Sequence, residues 1–148
     1  MDEAKFITLD NCLTILIYTD RSKSTNHMEL FTFYGGNYSS YIDYNGKKRN
    51  IKEGSAHLLE HYVCENTVSG DLLDNLRKYN VLSCNAGTSA FNTSYFFNTV
   101  CNFYECLDTF LDGIYNVSFT NEKLNKTKYA VLNEIRDSQN NEGRRIAD

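Results

Sequence analysis

The sequence of 148 residues contains no proline, no tryptophan and only three histidines. Because proline is the residue that most often interrupts helices and strands, its absence predicts long uninterrupted elements. Basic residues are also few, 15 against 19 acidic ones, which gives a net charge of −4. An acidic chain without a basic stripe argues against nucleic acid or an anionic membrane as the main partner. No segment approaches the ~20 consecutive apolar residues of a membrane-spanning helix.

The five cysteines do not form a pattern typical of a metal site or a disulfide framework. Their number is odd, and the chain has no pair with the Cys-x-x-Cys spacing of zinc ribbons. We therefore expect small buried thiols in a reducing compartment. The acidic N-terminal residues, Met1 to Lys5, lack the apolar segment of a signal peptide, which also favours a cytoplasmic location.

Hydrophobic residues make up 41% of the chain and aromatic residues 14%, which is too apolar for a disordered protein. The length suits one domain, predicted to include residues 1–148. Apolar periodicity predicts the following elements: strands at 5–9, 13–18 and 28–34, a polar loop at 37–52, helices at 55–65 and 70–79, strands at 81–88 and 93–101, and helices at 102–115 and 121–139.

Turn and cap residues support these boundaries. We expect Asp10-Asn11 to form a hairpin turn, Gly35-Gly36 to end the third strand, and Ser69 and Thr120 to cap the second and fourth helices. The order of strands and helices predicts an α+β fold. The expected architecture is a two-layer sandwich in which helices pack on one face of a largely antiparallel sheet.

Two of the three histidines lie in one pentapeptide, His57-Leu-Leu-Glu-His61, in the first predicted helix. Residues four apart rise about 6 Å and turn about 40° on a helix, so both imidazoles project from one face. That spacing allows two ring nitrogens to bind one ion at about 2.0–2.1 Å. Glu60 lies at the edge of the same face, where its carboxylate can reach a water molecule beside the metal. The alternative is a pair of hydrogen-bonded core histidines without a metal, and His27 is interpreted as a surface residue.

A third metal ligand must come from elsewhere, because catalytic zinc is usually held by three protein side chains. Glu65 continues the four-residue series but lies about 12 Å from His57 along the helix, too far for one ion to join them. We therefore interpret Glu65 as a solvated carboxylate or as one that supports a ligand. Local context favours Glu134, which lies beside Val131 and Ile135 in the last predicted helix. Spacing alone leaves these acidic residues open: Asp71, Asp74, Glu105, Asp108, Glu122, Glu134 and Asp137.

Four segments of the chain resemble one known family. They are Gly54-Ser-Ala-His-Leu-Leu-Glu-His61, Asn85-Ala86-x-Thr88, Thr93-Ser-Tyr-Phe-Phe and Val131-Leu-Asn-Glu134-Ile135. The first contains the inverted zinc-binding motif of the inverzincin metallopeptidases. The chain resembles the pitrilysin, insulin-degrading enzyme and mitochondrial processing peptidase family, and it is most similar to the small bacterial members. This resemblance implies the first metallopeptidase domain of the pitrilysin-like fold.

The resemblance also implies a zinc-dependent endopeptidase in which His57, His61 and Glu134 bind Zn²⁺ and Glu60 is the general base. In such a mechanism zinc acidifies its bound water and polarises the scissile carbonyl, while the glutamate takes the proton of the water. The strand with Asn85 and Ala86 is expected to pair with an extended peptide substrate. Such pairing reads backbone more than side chains, so the sequence preference should be loose.

Two features depart from the family pattern. The family often has a second glutamate seven residues before the distal ligand, where this chain has Thr127. Because threonine cannot supply a negative charge, we expect a lower zinc affinity or a lower rate. The chain also matches only the first part of one family domain. We expect a fragment that is weakly active or inactive without a second homologous half or subunit. The alternatives are a non-catalytic peptide-binding or partner subunit, a domain with structural zinc, and an α+β interaction domain without a metal.

Overall fold

The computed structural model describes residues 3–140, with the side chains of all but residues 3, 139 and 140. Within this range the order of elements is β1 (Glu3–Thr8), β2 (Thr14–Thr19), β3 (Asn26–Thr32), β4 (Ser40–Ile42), β5 (Lys48–Asn50), α1 (Ser55–Glu65), α2 (Leu72–Arg77), β6 (Ser83–Thr88), β7 (Thr93–Thr99), α3 (Phe103–Tyr115) and α4 (Asn121–Asn140). Each predicted helix and strand is present, with boundaries that agree to within two residues.

The α+β class is confirmed, and the strand pairs in the described residues are all antiparallel. They form three units instead of the single sheet predicted. A three-stranded sheet has the order β3-β7-β6, whereas β1 with β2 and β4 with β5 form separate hairpins. Among residues 3–140, no helix combines the length and the apolar character needed to cross a bilayer.

The prediction of a loop at 37–52 is wrong for the residues of β4 and β5. The turn between these strands is organised by Asp43, which accepts hydrogen bonds from the backbone N–H groups of Asn45 and Lys47, each at 3.0 Å, and from Arg49 Nε at 2.7 Å. The bond from Arg49, with those from the backbone, holds the pKa of the Asp43 carboxyl below its usual value. Because this hairpin depends on polar contacts and its strands are largely exposed, no apolar alternation marks it in the sequence.

The second helix is shorter than predicted, and the assignment of Ser69 as its cap is wrong. Asp71 is the N-cap, since its side chain accepts a hydrogen bond of 2.9 Å from the backbone N–H of Asp74. The Ser69 hydroxyl instead lies 3.1 Å from the Thr67 hydroxyl in the preceding turn. Both residue types are good caps, so the sequence pattern could not choose between them.

One face of the three-stranded sheet packs against α1, α2 and α3 to form the core. Alternate residues of β7 are buried, as expected for a strand with one covered face. The ring of Phe97 on β7 meets that of Phe110 on α3 at 60°, with centroids 5.6 Å apart. Burying each large apolar side chain contributes about 1.5–3 kcal/mol. The buried cluster consists of Cys64, Leu72, Leu76, Tyr95, Phe97, Cys106 and Phe110.

Tyr62 on α1 fixes the connection between α3 and α4. Its hydroxyl donates to the backbone oxygen of Ser118 and accepts from the N–H of Thr120, each at 3.0 Å, and its ring stacks on Phe119 with centroids 4.9 Å apart. Thr120 caps α4 as predicted, because its hydroxyl accepts a bond of 3.2 Å from the N–H of Lys123. These contacts start α4 beside α1, and the two helices then pack along each other.

All five cysteines lie in the described residues, and none is bonded to another. The expectation of buried thiols holds for Cys64 and Cys106 but is wrong for Cys12 and Cys101, which are exposed. Burial, together with nearby carboxylates such as Glu60, raises the pKa of the Cys64 thiol to about 12. This thiol is therefore protonated at neutral pH. The cytoplasmic location and the assignment of residues 1–148 to one domain stay predictions.

Candidate metal centre

Helix α1 brings the side chains of His57 and His61 together, as their spacing predicts. Their Nε2 atoms lie 3.1 Å apart, and the rings meet at 70° with centroids 4.8 Å apart. The helix begins directly after Gly54, whose φ of 77° is a conformation that glycine adopts without strain. The two imidazoles are partly exposed, at 31% and 27% of their side-chain surfaces, so a ligand can reach the nitrogens.

Helix α4 brings Glu134 to the same two nitrogens. Its Oε2 atom lies 3.1 Å from Nε2 of His61 and 3.5 Å from Nε2 of His57. Its side chain is 50% exposed, so burial by Val131 and Ile135 does not hold the carboxylate as the sequence context suggested. The packing of α4 on α1 accounts for its position instead.

The three atoms fit one metal ion. Ligand atoms arranged tetrahedrally at 2.0–2.1 Å from zinc are about 3.3–3.4 Å apart. The separations of the two Nε2 atoms and the carboxylate oxygen, 3.1, 3.1 and 3.5 Å, are close to that spacing. Two imidazoles and one carboxylate are also a donor set that zinc takes in catalytic sites. The geometry and the chemistry of the donors therefore both suit zinc.

The local charge also favours a cation. Three carboxylates, those of Glu60, Glu65 and Glu134, lie within 4.0 Å of an imidazole nitrogen. In the part of the chain that the structure describes, their only ion-pair partners within that distance are these histidines, and none is a lysine or arginine. Several acids without a basic partner repel one another, and a divalent cation relieves that repulsion.

Glu60 lies beside the three atoms and not among them. Its Oε2 atom is 4.0 Å from Nε2 of His57 and accepts a hydrogen bond of 3.2 Å from the Thr88 hydroxyl. Only 8% of the residue is exposed. The alternative grouping of His57, Glu60 and His61 has ligand atoms up to 4.8 Å apart, wider than zinc would require. Glu134 therefore fits better as the third ligand, and Glu60 faces the space next to it.

Sequence reasoning does not assign a role to Thr88, the last residue of β6 and the partner of Glu60. Its hydroxyl is also 3.3 Å from that of Thr93 on β7, which donates to the backbone oxygen of Tyr34 at 2.9 Å. The side chain that orients Glu60 is thus fixed by the sheet. The signal is the Asn85-Ala86-x-Thr88 segment, whose resemblance to the family implies a substrate strand but no role for Thr88.

Strand β6 forms one edge of the three-stranded sheet and, with the candidate ligands, lines a cleft of about 600 Å³. The N–H of Ser89 donates to the backbone oxygen of Asn92, and in an antiparallel ladder every second residue of a strand bonds to the same neighbouring strand. By this register the backbone of Asn85 pairs with β7, whereas the N–H and C=O groups of Ala86 point to the open edge. The side chain of Asn85 is exposed. Both predicted substrate-binding residues therefore line the cleft.

Glu65 stands behind His61. Its Oε1 atom is 3.5 Å from Nδ1 of His61, the ring nitrogen that does not face Glu134. The position agrees with the interpretation that Glu65 is not itself a ligand. His27, the third histidine, contacts Asn98 at 2.9 Å and Glu29 at 3.3 Å on an exposed surface, as predicted.

An α+β frame that presents His-x-x-Glu-His on one helix and a carboxylate from a later helix is typical of the inverted-motif class of metallopeptidases. Residues 47–148 match the family model described as Insulinase (Peptidase family M16), and the chain belongs to this family. The family resemblance inferred from the sequence is thus confirmed.

Individual relatives agree with this assignment. The chain is 27% identical over 129 residues to the uncharacterized zinc protease YmfH of Bacillus subtilis (strain 168). The aligned residues cover 86% of this chain and 29% of that protein. Its fold is similar to a crystal structure from Alicyclobacillus acidocaldarius described as an M16-like peptidase, with a TM-score of 0.87, 23% identity, and coverage of 97% of this chain and 33% of that one. A protease structure from Helicobacter pylori has a TM-score of 0.74 and 19% identity, covering 92% and 31%. The chain therefore spans about a third of the length of these relatives.

Proposed function

We propose that this chain carries the metal centre of a zinc-dependent endopeptidase, with His57, His61 and Glu134 as zinc ligands. The observation that supports the proposal is the set of three donor atoms with separations of 3.1, 3.1 and 3.5 Å beside the buried carboxylate of Glu60. When bound, zinc would polarise the scissile carbonyl and make water in the cleft a better nucleophile. Membership of the peptidase family supports peptide-bond hydrolysis as the reaction class.

Glu60 is proposed as the general base. Its carboxylate takes a proton from the attacking water and delivers it to the leaving amine, a role that requires a fixed orientation beside the reacting atoms. The hydrogen bond from Thr88 supplies that orientation before substrate binds. Because the residue is nearly buried, little solvent must be reorganised when the proton moves.

The proposed substrate is an extended peptide that adds to the open edge of β6. The N–H and C=O groups of Ala86 point to that edge and are available for a ladder with the substrate backbone. The exposed side chain of Asn85 lies next to the same edge and is proposed as a further contact. Because backbone groups dominate this mode of binding, a loose sequence preference is expected.

A second homologous half or subunit is proposed to complete the substrate site. Two observations support it: the chain spans about a third of its relatives' length, and α4 exposes large apolar side chains beside the candidate ligand. Tyr129 is 67% exposed and Leu132 is 50% exposed. Hydrolysis should therefore be measured with this chain and with the longest polypeptide that its reading frame encodes.

Replacing Glu60 with glutamine tests the assignment of the base. We expect Glu60→Gln to retain about one zinc per chain and to reduce peptide hydrolysis by about 10²–10⁴-fold, the range that general-base catalysis supplies. Metal content is measured by elemental analysis, and hydrolysis is followed with a quenched fluorescent peptide. His57→Ala should instead lose the metal together with the activity, because it removes one of three ligands.

The matched control is Glu53→Gln, the same substitution at an exposed position just before α1. It should leave both metal content and hydrolysis unchanged. If zinc-loaded Glu60→Gln cleaved peptide at the wild-type rate, Glu60 would not be the base. If the longest polypeptide of the reading frame, with its second half or subunit present, bound no zinc, or bound it without any chelator-sensitive hydrolysis, the endopeptidase proposal would fail. Peptide binding without hydrolysis would then favour a non-catalytic peptide-binding subunit.

A further inference from the structure

Behind His61, three side chains form a hydrogen-bonded chain that the proposed reaction does not use. The amide nitrogen of Asn66 donates to the Thr127 hydroxyl at 3.2 Å, and this hydroxyl donates to Oε2 of Glu65 at 2.9 Å. The other carboxylate oxygen, Oε1, faces Nδ1 of His61 at 3.5 Å. This series of hydrogen bonds thus begins in the protein interior and ends beside His61, a candidate zinc ligand.

The direction of these bonds is fixed by donor chemistry. The amide nitrogen of Asn66 can only donate, and it also donates to the backbone oxygen of Tyr62 at 3.1 Å. The hydroxyl of Thr127 therefore accepts from Asn66 and commits its single proton to Glu65. Thr127 is 0% exposed and Asn66 is 7% exposed, so water does not compete with the bond between them, whereas the Glu65 side chain is 32% exposed. Oε2 of Glu65 is thus held by the Thr127 hydroxyl, whereas Oε1 faces the imidazole of His61.

The arrangement follows from two helices that pack side by side in opposite directions. On α1, Glu65 comes one turn after His61; on α4, Thr127 comes about two turns before Glu134 and lies on the same face. His61 meets Glu134 at 3.1 Å and Glu65 meets Thr127 at 2.9 Å. One helix interface therefore carries both the proposed metal contact and the contact that supports it.

We infer that Glu65, held by Thr127, is a positioning residue that orients His61 for zinc. A histidine that binds a metal through one ring nitrogen commonly donates its other N–H to a carboxylate, which fixes the tautomer and the ring orientation. Glu65 is the carboxylate placed to accept from Nδ1, and a small side-chain rotation closes the gap of 3.5 Å to a hydrogen bond. The inference rests on the proposed zinc site.

The inference changes the expectation attached to Thr127. A threonine at this position supplies no charge of its own, but its hydroxyl fixes a carboxylate that comes from α1. The negative charge behind the imidazole is thus present, and Thr127 is the residue that holds it there. The deficit in zinc affinity that the sequence predicts for Thr127 is not expected as long as Glu65 is intact.

The test measures zinc affinity of the purified protein by competition with a chelating dye, which needs no enzymatic turnover. Glu65→Gln removes the charge with little change in shape and should weaken zinc binding by about 10–100-fold. Thr127→Val removes the hydroxyl and keeps the volume, and it should weaken binding by a smaller factor, about threefold or more. Thr127→Ser keeps the hydroxyl and should bind zinc within about twofold of wild type.

A double variant separates positioning from a merely structural role. Because Thr127 acts through Glu65, adding Thr127→Val to Glu65→Gln should cause no further loss of affinity. In the zinc-loaded wild type, the proton on Nδ1 of His61 should resonate downfield in nitrogen-edited NMR spectra, and Glu65→Gln should move it upfield.

The outcomes distinguish this inference from the proposed function. The positioning role would be overturned, with the zinc site left intact, by either of two results. One is a zinc affinity of Glu65→Gln equal to that of wild type. The other is an equal loss of affinity when Thr127→Val is added to wild type and to Glu65→Gln. Wild-type protein that binds no zinc would remove the proposed function itself. If Glu65→Gln does not fold, the comparison of Thr127→Val with Thr127→Ser decides, and equal affinities of those two would refute the inference.

Discussion

Gly35 is expected to be irreplaceable because the 89–92 turn passes directly over it. A Cβ atom at this position would lie 2.5 Å from the backbone nitrogen of Asn92, 2.6 Å from the backbone oxygen of Ser89 and 2.7 Å from the backbone carbon of Phe91. All three distances are well below ordinary contact, and all three partners are backbone atoms that cannot rotate away. Gly35→Ala must therefore move one chain segment against the other.

The adjacent glycine provides a matched control. A Cβ on Gly36 would have a single neighbour, the backbone oxygen of Ser89, at an ordinary distance of 3.7 Å. Both substitutions restrict the unfolded chain equally, a gain of about 0.4–1 kcal/mol, so the difference between them isolates the clash. Overpacking typically costs about 1–3 kcal/mol, and a clash with fixed backbone belongs at the upper end. Gly35→Ala should be less stable than Gly36→Ala by about 3 kcal/mol.

Urea unfolding measures this difference, followed by far-ultraviolet circular dichroism because the chain has no tryptophan. The backbone N–H groups of Gly36 and Asn37 donate to the oxygens of Ser89 and Ala90 at 2.8 and 2.9 Å, and these bonds should break in Gly35→Ala. Free energies of unfolding that agree within about 0.5 kcal/mol for the two variants would refute the close approach of the two segments.

Two further predictions concern the metal and one buried thiol. Removing zinc with a chelator should leave the circular dichroism spectrum unchanged, because the core cluster includes none of the candidate ligands. The melting temperature should fall by about 5–10 °C relative to protein with zinc at 100 times its dissociation constant. Loss of the spectrum would instead indicate a structural site. The pKa of the Cys64 thiol is about 12 in the folded protein and about 9 in the unfolded chain. Its contribution to the free energy of unfolding is therefore complete below pH 9 and is lost as the pH rises towards 12, by up to about 1.4 kcal/mol per pH unit. Cys64→Ala should make the decline in unfolding free energy between pH 9 and 11 shallower, and equal slopes for the two proteins would contradict the burial of this thiol.

Local sequence patterns predicted the elements whose structure depends on apolar burial. Helix α1 has the predicted bounds, and β7 alternates between buried and half-buried residues as its pattern indicates. The β4–β5 hairpin was missed because hydrogen bonds to Asp43, and not apolar contacts, hold it together. The start of α2 was misplaced because Ser69 and Asp71 are both good capping residues.

The candidate site divides in the same way. The spacing of His57 and His61 is a local property of one helix, and the sequence alone predicts that their rings meet. Glu134 follows on another helix, 73 positions after His61, and its approach depends on how Tyr62 anchors the start of α4. Such a contact has no local signature. Local context favours Glu134 only through a burial that the structure does not show, since the side chain is 50% exposed, and the family resemblance is what assigns it as a ligand. The orientation of Glu60 by Thr88 likewise depends on the packing of α1 against the sheet.

Two of the contacts of helix α1, those with α4 and with β6, carry different parts of the candidate site, and this division should separate affinity from rate. Its contact with α4 carries His61 with Glu134 and Glu65 with Thr127, which are proposed to set how tightly zinc binds. Its contact with β6 carries Glu60 with Thr88, which is proposed to set how the base is oriented. Changes at the first contact should therefore weaken zinc binding, whereas changes at the second should lower the rate of the zinc-loaded protein and leave its affinity unchanged. Because both contacts involve α1, displacement of this helix should lower both the zinc affinity and the rate measured at saturating zinc. A variant that shows both losses therefore indicates that α1 has moved.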